Sequence, residues 1–136
     1  MDRIVRIVKM VKIDPVDPFD KRGSTYEWKH SDGRQITVIV RKKGSKIGGH
    51  FHKGKDPDKN PERLFVAKGK MRAIFANEGT MHVKVLEEGD YFTIPPGVAH
   101  GMIVIDEDLV LLEYRSTHYN KDKKDTYPTP WIFDFL

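Results

Sequence analysis

Short apolar runs rich in β-branched residues, each cut off by a turn signal, constrain this chain more than any other feature. The runs cover residues 36–40, 64–67, 71–75, 81–86, 91–94, 102–105 and 109–114. Between them stand Ser31-Asp32-Gly33, Glu78-Gly79, Glu88-Gly89-Asp90 and Pro95-Pro96-Gly97, residues that supply the backbone angles tight turns need. Runs this short suit strands. No stretch in the middle of the chain carries a long apolar stripe at the helical period, so few helices are expected. Many short strands at near-regular spacing predict an all-β sandwich or barrel. A length of 136 residues predicts one domain over residues 1–136, with its core at about 20–120.

Composition removes several function classes. Lys and Arg number 24 against 20 Asp and Glu, a net charge of +4 spread among many acids, so no nucleic-acid partner is expected. No run approaches the roughly 18 apolar residues of a membrane helix. The opening MDRIVRIVKMVKID has charges threaded through it and no small-residue cleavage site, unlike a secretory signal. A cytoplasmic protein without a membrane partner is the expectation. With no cysteine in the chain, disulfides, thiolate metal sites and cysteine nucleophiles are excluded. Histidine and carboxylate are left to carry any site chemistry.

Three segments lie outside this rhythm. On an extended opening segment, Val5, Ile7, Val11 and Ile13 share one face, with Lys9 as the exception. This predicts a strand that pairs at a sheet edge or with a second subunit. Residues 53–61, KGKDPDKNP, read as a polar loop with no apolar anchor. The closing WIFDFL patch at 131–136 must be covered by its own barrel or by a partner. Together the opening strand and closing patch predict a homodimer.

The chemistry-bearing residues fall in two stretches. The first runs Gly44, five residues, His50-Phe51-His52, nine residues, Glu62, six residues, Gly69. The second runs Gly89, five residues, Pro95-Pro96-Gly97, two residues, His100. On a strand, His50 and His52 point to one face and Phe51 to the other. A hairpin can bring Glu62 beside them, and the Pro-Pro-Gly turn sets His100 at the start of a further strand. Three imidazoles and a carboxylate suit Fe, Mn, Ni, Co or Zn better than Mg or Ca. Alternatively, Glu62 salt-bridges a Lys or Arg at the rim and the histidines line a pocket. His30, His82 and His118 read as surface or satisfied-core residues.

These spacings resemble the two signature motifs of the cupin superfamily. The loop before Glu62 is longer than in the first motif, and Val104 stands where the second carries Asn. The resemblance implies a double-stranded β-helix jelly roll, commonly dimeric, with a site inside the barrel. Asp20-Lys21-Arg22-Gly23-Ser24-Thr25-Tyr26-Glu27, residues 94–101 (IPPGVAHG) and residues 113–119 (EYRSTHY) resemble segments of dTDP-4-dehydrorhamnose 3,5-epimerases. The His50-Phe51-His52-Lys53 run is similar to that of dTDP-sugar 3,4-ketoisomerases. By position the resemblance implies His50 as base, Tyr114 as acid, and Arg22 and Glu27 as contacts to a sugar or sugar-nucleotide. Ile47 stands where the epimerases carry Arg, and the Glu62 carboxylate lies where they direct a Lys toward the substrate. Tyr114 also reads as a packed aromatic, and Arg22 as the partner of a nearby carboxylate. The expectation is acid–base chemistry on a keto-sugar in a pocket that also binds a divalent transition metal. A metal-dependent oxygenase or lyase, or a non-catalytic binding protein, are the alternatives.

Overall fold

The apolar runs form strands, and two of them extend far beyond their apolar centres. In the computed structural model, which describes residues 8–136, the strands are β1 (Gly23–Lys29), β2 (Gln35–Arg41), β3 (Lys46–Phe51), β4 (Glu62–Asn77), β5 (Thr80–Glu87), β6 (Tyr91–Ile94), β7 (Ala99–Arg115) and β8 (Tyr127–Pro128). The remaining elements are 3-10 turns over Pro57–Lys59, Lys121–Lys123 and Pro130–Phe135. All strand pairs are antiparallel, in the order β1-β2-β7-β3-β8, with β4 joining β7 to β5 and β6. Among the described residues no helix is long and apolar enough to cross a membrane.

The long strands β4 and β7 organise the barrel. They pair from Arg63↔Tyr114 to Ala76↔Ala99, with the register shifting between Val66 and Lys70. Such an irregularity bends a strand and changes which alternate residues face inward. Glu62, Leu64 and Val66 are buried before it; Met71 and Ala73 are buried after it. Gly69 makes the bend feasible. Its φ is +92°, and a Cβ there would lie 2.6 Å from the Asp108 carbonyl oxygen, so only glycine fits.

The core is formed by inward residues of these strands, among them Leu64, Val66, Met71, Ile94, Met102, Val104, Leu109 and Leu111. The closing patch is covered in part by its own barrel. Ile132 is wholly buried against Ile74, Ala76 and Ala99, worth about 1.5–3 kcal/mol of apolar burial. The Phe133 ring packs where side chains on Gly49 and Gly101 would otherwise reach. Trp131 and Phe135 stay exposed.

One expectation needs correction. Val5 and Ile7, half of the opening strand's apolar face, lie outside the described residues. From Val8 to Ile13 the chain forms no strand, and Val8, Met10 and Val11 are 79–88% exposed. Among the described residues no strand offers these a ladder, and Val16 N bonds to Thr25 O at 2.9 Å. The 53–61 segment is the polar loop without apolar anchors that was expected, and polar contacts hold it instead. Asp58, fully buried, accepts from Ser116 N and Oγ at 2.6 and 2.9 Å and from Thr117 N and Oγ1 at 3.0 and 2.6 Å. Burial alone raises the Asp58 pKa, but the donors of Thr117 and Ser116 outweigh it and hold the carboxyl below its ordinary value. Asp56 takes both Arg115 guanidinium nitrogens at 3.0 and 3.1 Å, the bidentate geometry that makes such pairs strong. Asp125 accepts from Lys53 N and Asp56 N at 2.9 and 3.0 Å. The loop is therefore held at both ends and in the middle.

Candidate metal centre

His50 and His100 are opposite one another in the β3–β7 ladder. His52 follows two residues later, where the strand period returns its ring to the same side. The Pro95-Pro96-Gly97 turn is fastened to it by Gly97 N donating to His52 O at 2.7 Å. The rings converge accordingly. Centroids lie 4.7 Å apart for His50–His52 and His50–His100, and 5.2 Å apart for His52–His100. One ring nitrogen from each lies within 4.8 Å of the others.

Backbone carbonyls set the tautomers. His52 Nδ1 lies 2.7 Å from Asp125 O, and His100 Nδ1 lies 3.0 Å from Val98 O. A carbonyl only accepts, so each Nδ1 carries the proton and each Nε2 presents a lone pair. His52 Nε2 is buried with no hydrogen-bond partner. It faces Glu62 Oε2 at 3.6 Å, while His100 Nε2 lies 3.9 Å from Glu62 Oε1. Burial pushes the His50 pKa down to about 3, aided by His100, His52 and Lys59. It pushes His100 down to about 4 against the opposing Val98 hydrogen bond, with His52 and Lys59 lowering it further. His52 is lowered by burial and then by Lys59. At neutral pH all three rings are uncharged. Neutral imidazoles, carbonyl-fixed second nitrogens and an unpartnered buried Nε2 fit a mid-row divalent ion.

Glu62 is buried beside the rings but is not part of the mutually close group, which His50, His52 and His100 form alone. Its Oε2 is engaged by the Lys59 ammonium, which also grips Glu113 Oε2. Burial alone lowers the Lys59 pKa, but the charges of Glu62 and Glu113 reverse the shift and raise it. Burial pushes the Glu113 carboxyl up to about 7; Lys59 opposes this and Glu62 adds to it. Lys59 and Glu113 also line a cavity of about 760 Å³, with Thr25, Glu27, Lys29 and Thr37 on one wall and residues 118–122 on the other. The imidazoles do not line this cavity. The Lys59–Glu113 bridge stands between it and Glu62.

The other expected site residues divide. Glu27 lines the cavity and accepts from Gln35 Nε2 at 3.3 Å. Arg22 lies elsewhere, held by Asp20 at 2.8 and 3.1 Å and donating to Lys46 O at 3.0 Å; its guanidinium has structural partners. Tyr114 does not face His50. The strand period turns Leu109, Leu111, Glu113 and Arg115 inward, which sends Tyr114 outward. There it is 37% exposed, with the Arg63 guanidinium 5.7 Å from its ring centre. Its inward neighbour is Glu113. Lys59 gave no local signal at all, being one cation in a polar loop. His118, expected to be a surface or satisfied-core residue, is exposed; it borders the cavity and donates from Nε2 to His30 O at 2.9 Å.

Residues 18–127 match the family model described as the polysaccharide biosynthesis C-terminal domain. The chain belongs to this family. Among solved structures, this polysaccharide biosynthesis C-terminal domain is similar to the capsular polysaccharide assembling protein CapF of Staphylococcus aureus. The two are 26% identical with a TM-score of 0.68, over 80% of this chain and 32% of that one. In another crystal structure of CapF the TM-score is 0.70, at 24% identity over 86% and 32%. An oxalate decarboxylase of Bacillus subtilis follows at 21% identity and a TM-score of 0.62, over 78% and 28%. That likeness is one of fold, and the fold is the cupin jelly roll that the motifs imply. The decarboxylase carries Mn(II) centres. The chain spans about a third of the length of CapF, and no curated protein matches it in sequence.

Proposed function

We propose that this domain acts on a keto-sugar, free or nucleotide-linked, by metal-assisted proton transfer at the carbon beside the carbonyl. The observation that carries this reading is the convergence of three neutral imidazoles, one with an unpartnered buried Nε2, a single Lys–Glu bridge away from a ligand-sized cavity. Membership of a polysaccharide biosynthesis family and the likeness to CapF support a sugar as the ligand. A volume near 760 Å³ lies within the range of small-molecule pockets.

His50, His52 and His100 would hold a divalent ion, which when bound would supply Lewis-acid polarisation of a carbonyl oxygen that reached it. His50 is assigned to the ligand set because its ring nitrogen lies within 4.8 Å of those of His52 and His100. Glu113 faces the cavity and takes the proton-exchange role. Its carboxylate accepts the proton from the acidic carbon and the C–H electron pair passes into the enolate; return of the proton from the same carboxyl gives hydrogen exchange, and delivery of a proton from solvent in the cavity to the opposite face gives epimerisation. Lys59 holds that carboxylate in place, while Glu27, Lys29 and Thr37 offer hydrogen-bonding partners to sugar hydroxyls. The barrel interior keeps bulk water from the rings.

Two measurements test the reading. Elemental analysis is expected to find close to one transition-metal ion per chain, lost in His52→Ala. Metal-loaded protein in deuterium oxide is expected to exchange the hydrogen beside the carbonyl of a nucleotide-linked 4-keto-sugar, and Glu113→Gln to stop that exchange. Metal-loaded protein that exchanges no such hydrogen overturns the reaction assignment. Protein that takes up no metal overturns the centre.

A further inference from the structure

The cavity beside Glu113 does not end at its far wall. His118 and Asn120 border it on one side and a second cavity of about 500 Å³ on the other, lined also by Lys55, Asp56, Arg115, Lys123 and Lys124. The two cavities differ in charge. The first has as many acids, Glu27, Glu113 and Asp122, as lysines, Lys29, Lys59 and Lys121. The second sets four cations against one carboxylate, and that carboxylate, Asp56, is engaged by both Arg115 guanidinium nitrogens. Lys55, Lys123 and Lys124 are left, exposed and without an ion pair among the described residues. We infer that this second cavity is a phosphate subsite, so that the keto-sugar taken by the domain carries a phosphate group. The sugar half of this inference rests on the function proposed above; the subsite is tested without it.

The wall between the cavities holds the lysines in place. Asn120 caps the Lys121–Lys123 turn, its side chain accepting from Asp122 N at 2.9 Å and its carbonyl from Lys123 N at 3.0 Å. Lys121 and Asp122 thereby border the first cavity, and Lys123 and Lys124 the second. Behind the turn, Asp125 is buried and accepts from Lys53 N and Asp56 N, so backbone donors satisfy its charge and the lysine ammonium groups are not used for it. Tyr119 N donates to Gln35 Oε1 at 2.9 Å, and the Arg115 guanidinium lies 5.4 Å from the Tyr119 ring centre. Cations gathered around a concave surface reinforce one another's field, and lysine meets phosphate as a point charge. The pair of cavities therefore suits a molecule of two parts. Sugar hydroxyls match the mixed charge beside Glu113, and a phosphate matches the lysines beyond His118.

The experiment is calorimetric titration of the full chain with inorganic pyrophosphate. The triple variant Lys55→Gln, Lys123→Gln, Lys124→Gln is expected to weaken binding on the order of 10-fold or more, because three charge-assisted contacts are lost. A control triple, Lys42→Gln, Lys43→Gln, Lys68→Gln, removes the same charge from exposed positions outside the cavity and is expected to bind as wild type. His52→Ala is also expected to bind as wild type, since the phosphate does not sit on the imidazole centre. Three results each overturn the subsite: wild type that binds no pyrophosphate, a control triple weakened as much as the test triple, or binding lost in His52→Ala. Uridine and thymidine diphosphates identify the source of the phosphate while leaving the subsite in place; binding tighter than pyrophosphate assigns a nucleotide-linked sugar, and equal binding a sugar phosphate. In the deuterium-exchange assay the test triple is expected to raise KM for a nucleotide-linked 4-keto-sugar with kcat unchanged, and an unchanged KM overturns the role of the subsite in holding substrate. If wild type exchanges no hydrogen, the reaction assignment falls, and the pyrophosphate titration alone decides the subsite.

Discussion

Two buried polar clusters flank Glu62, and they are built on opposite principles. On one side, His50, His52 and His100 are uncharged, and His52 Nε2 points at no donor. On the other, the loop carrying Lys59 is saturated: Asp58 takes four hydrogen bonds, Asp56 two from Arg115, and Lys59 two carboxylates. A saturated network holds a chain segment in one place, because each buried charge has its partner. An unsaturated group of lone pairs lacks only a cation. The imidazole cluster is suited to binding and the saturated loop to positioning.

The largest expected effect breaks the saturated side. Asp58→Ala leaves the Ser116 and Thr117 donors without an acceptor and removes the carboxylate lying 3.7 Å from Arg115. Losing one member of a buried charge network costs about 3–5 kcal/mol, to be read as a lower urea midpoint with little change in slope.

The second prediction sharpens the other side. A transition metal at a hundred times its Kd is expected to stabilise wild type by about 2.7 kcal/mol and His52→Ala not at all, by thermal melting at pH 7. A third uses protons in place of metal. His50 and His100 have folded pKa values of about 3 and about 4 against 6.5 unfolded. Below 6.5 the unfolded chain takes up protons that the folded chain refuses. Their contribution is complete above that value and is lost as pH falls toward the folded values, at up to about 1.4 kcal/mol per pH unit and group. Glu113 acts in the opposite sense. Raised from 4.5 to about 7, it binds its proton more readily when folded and adds stability as pH falls through that interval. Urea midpoints measured from pH 7 to 4 are therefore expected to fall, and to fall more steeply in Glu113→Gln. A slope unchanged by His50→Gln would count against the buried neutral imidazoles. The smallest effect is expected of Tyr114→Phe. The hydroxyl lies on the outer face, so stability should move by less than about 0.5 kcal/mol, and deuterium exchange into substrate should be unchanged.

Legibility in the chain's text followed the range of the forces involved. Strand rhythm is local: alternation and turn residues announced the β elements, and the two-residue period put His50 and His52 on one side before any fold was known. The Pro-Pro-Gly turn announced the placement of His100 for the same reason. Tyr114 was assigned by resemblance, and strand parity points the other way: the burial of Leu109 and Leu111 directs Glu113 inward and Tyr114 outward. Residues 8–13 formed no strand because alternation alone supplies no neighbouring strand. Lys59 was invisible, being indistinguishable by composition from the other lysines of its loop.

Residue order therefore settled the all-β class, the barrel and the imidazoles, because each depends on turns and periods spanning a few residues. The bridge among Lys59, Glu62 and Glu113 arose only on folding. Glu113 is 54 residues from Lys59 in the chain, and the loop reaches it through Asp56–Arg115 and Asp58–Thr117 contacts, each 59 residues apart. Charges that distant acquire a shared environment only when β4, β7 and the loop exclude water around them. That exclusion makes a surface-like lysine the partner of two buried carboxylates.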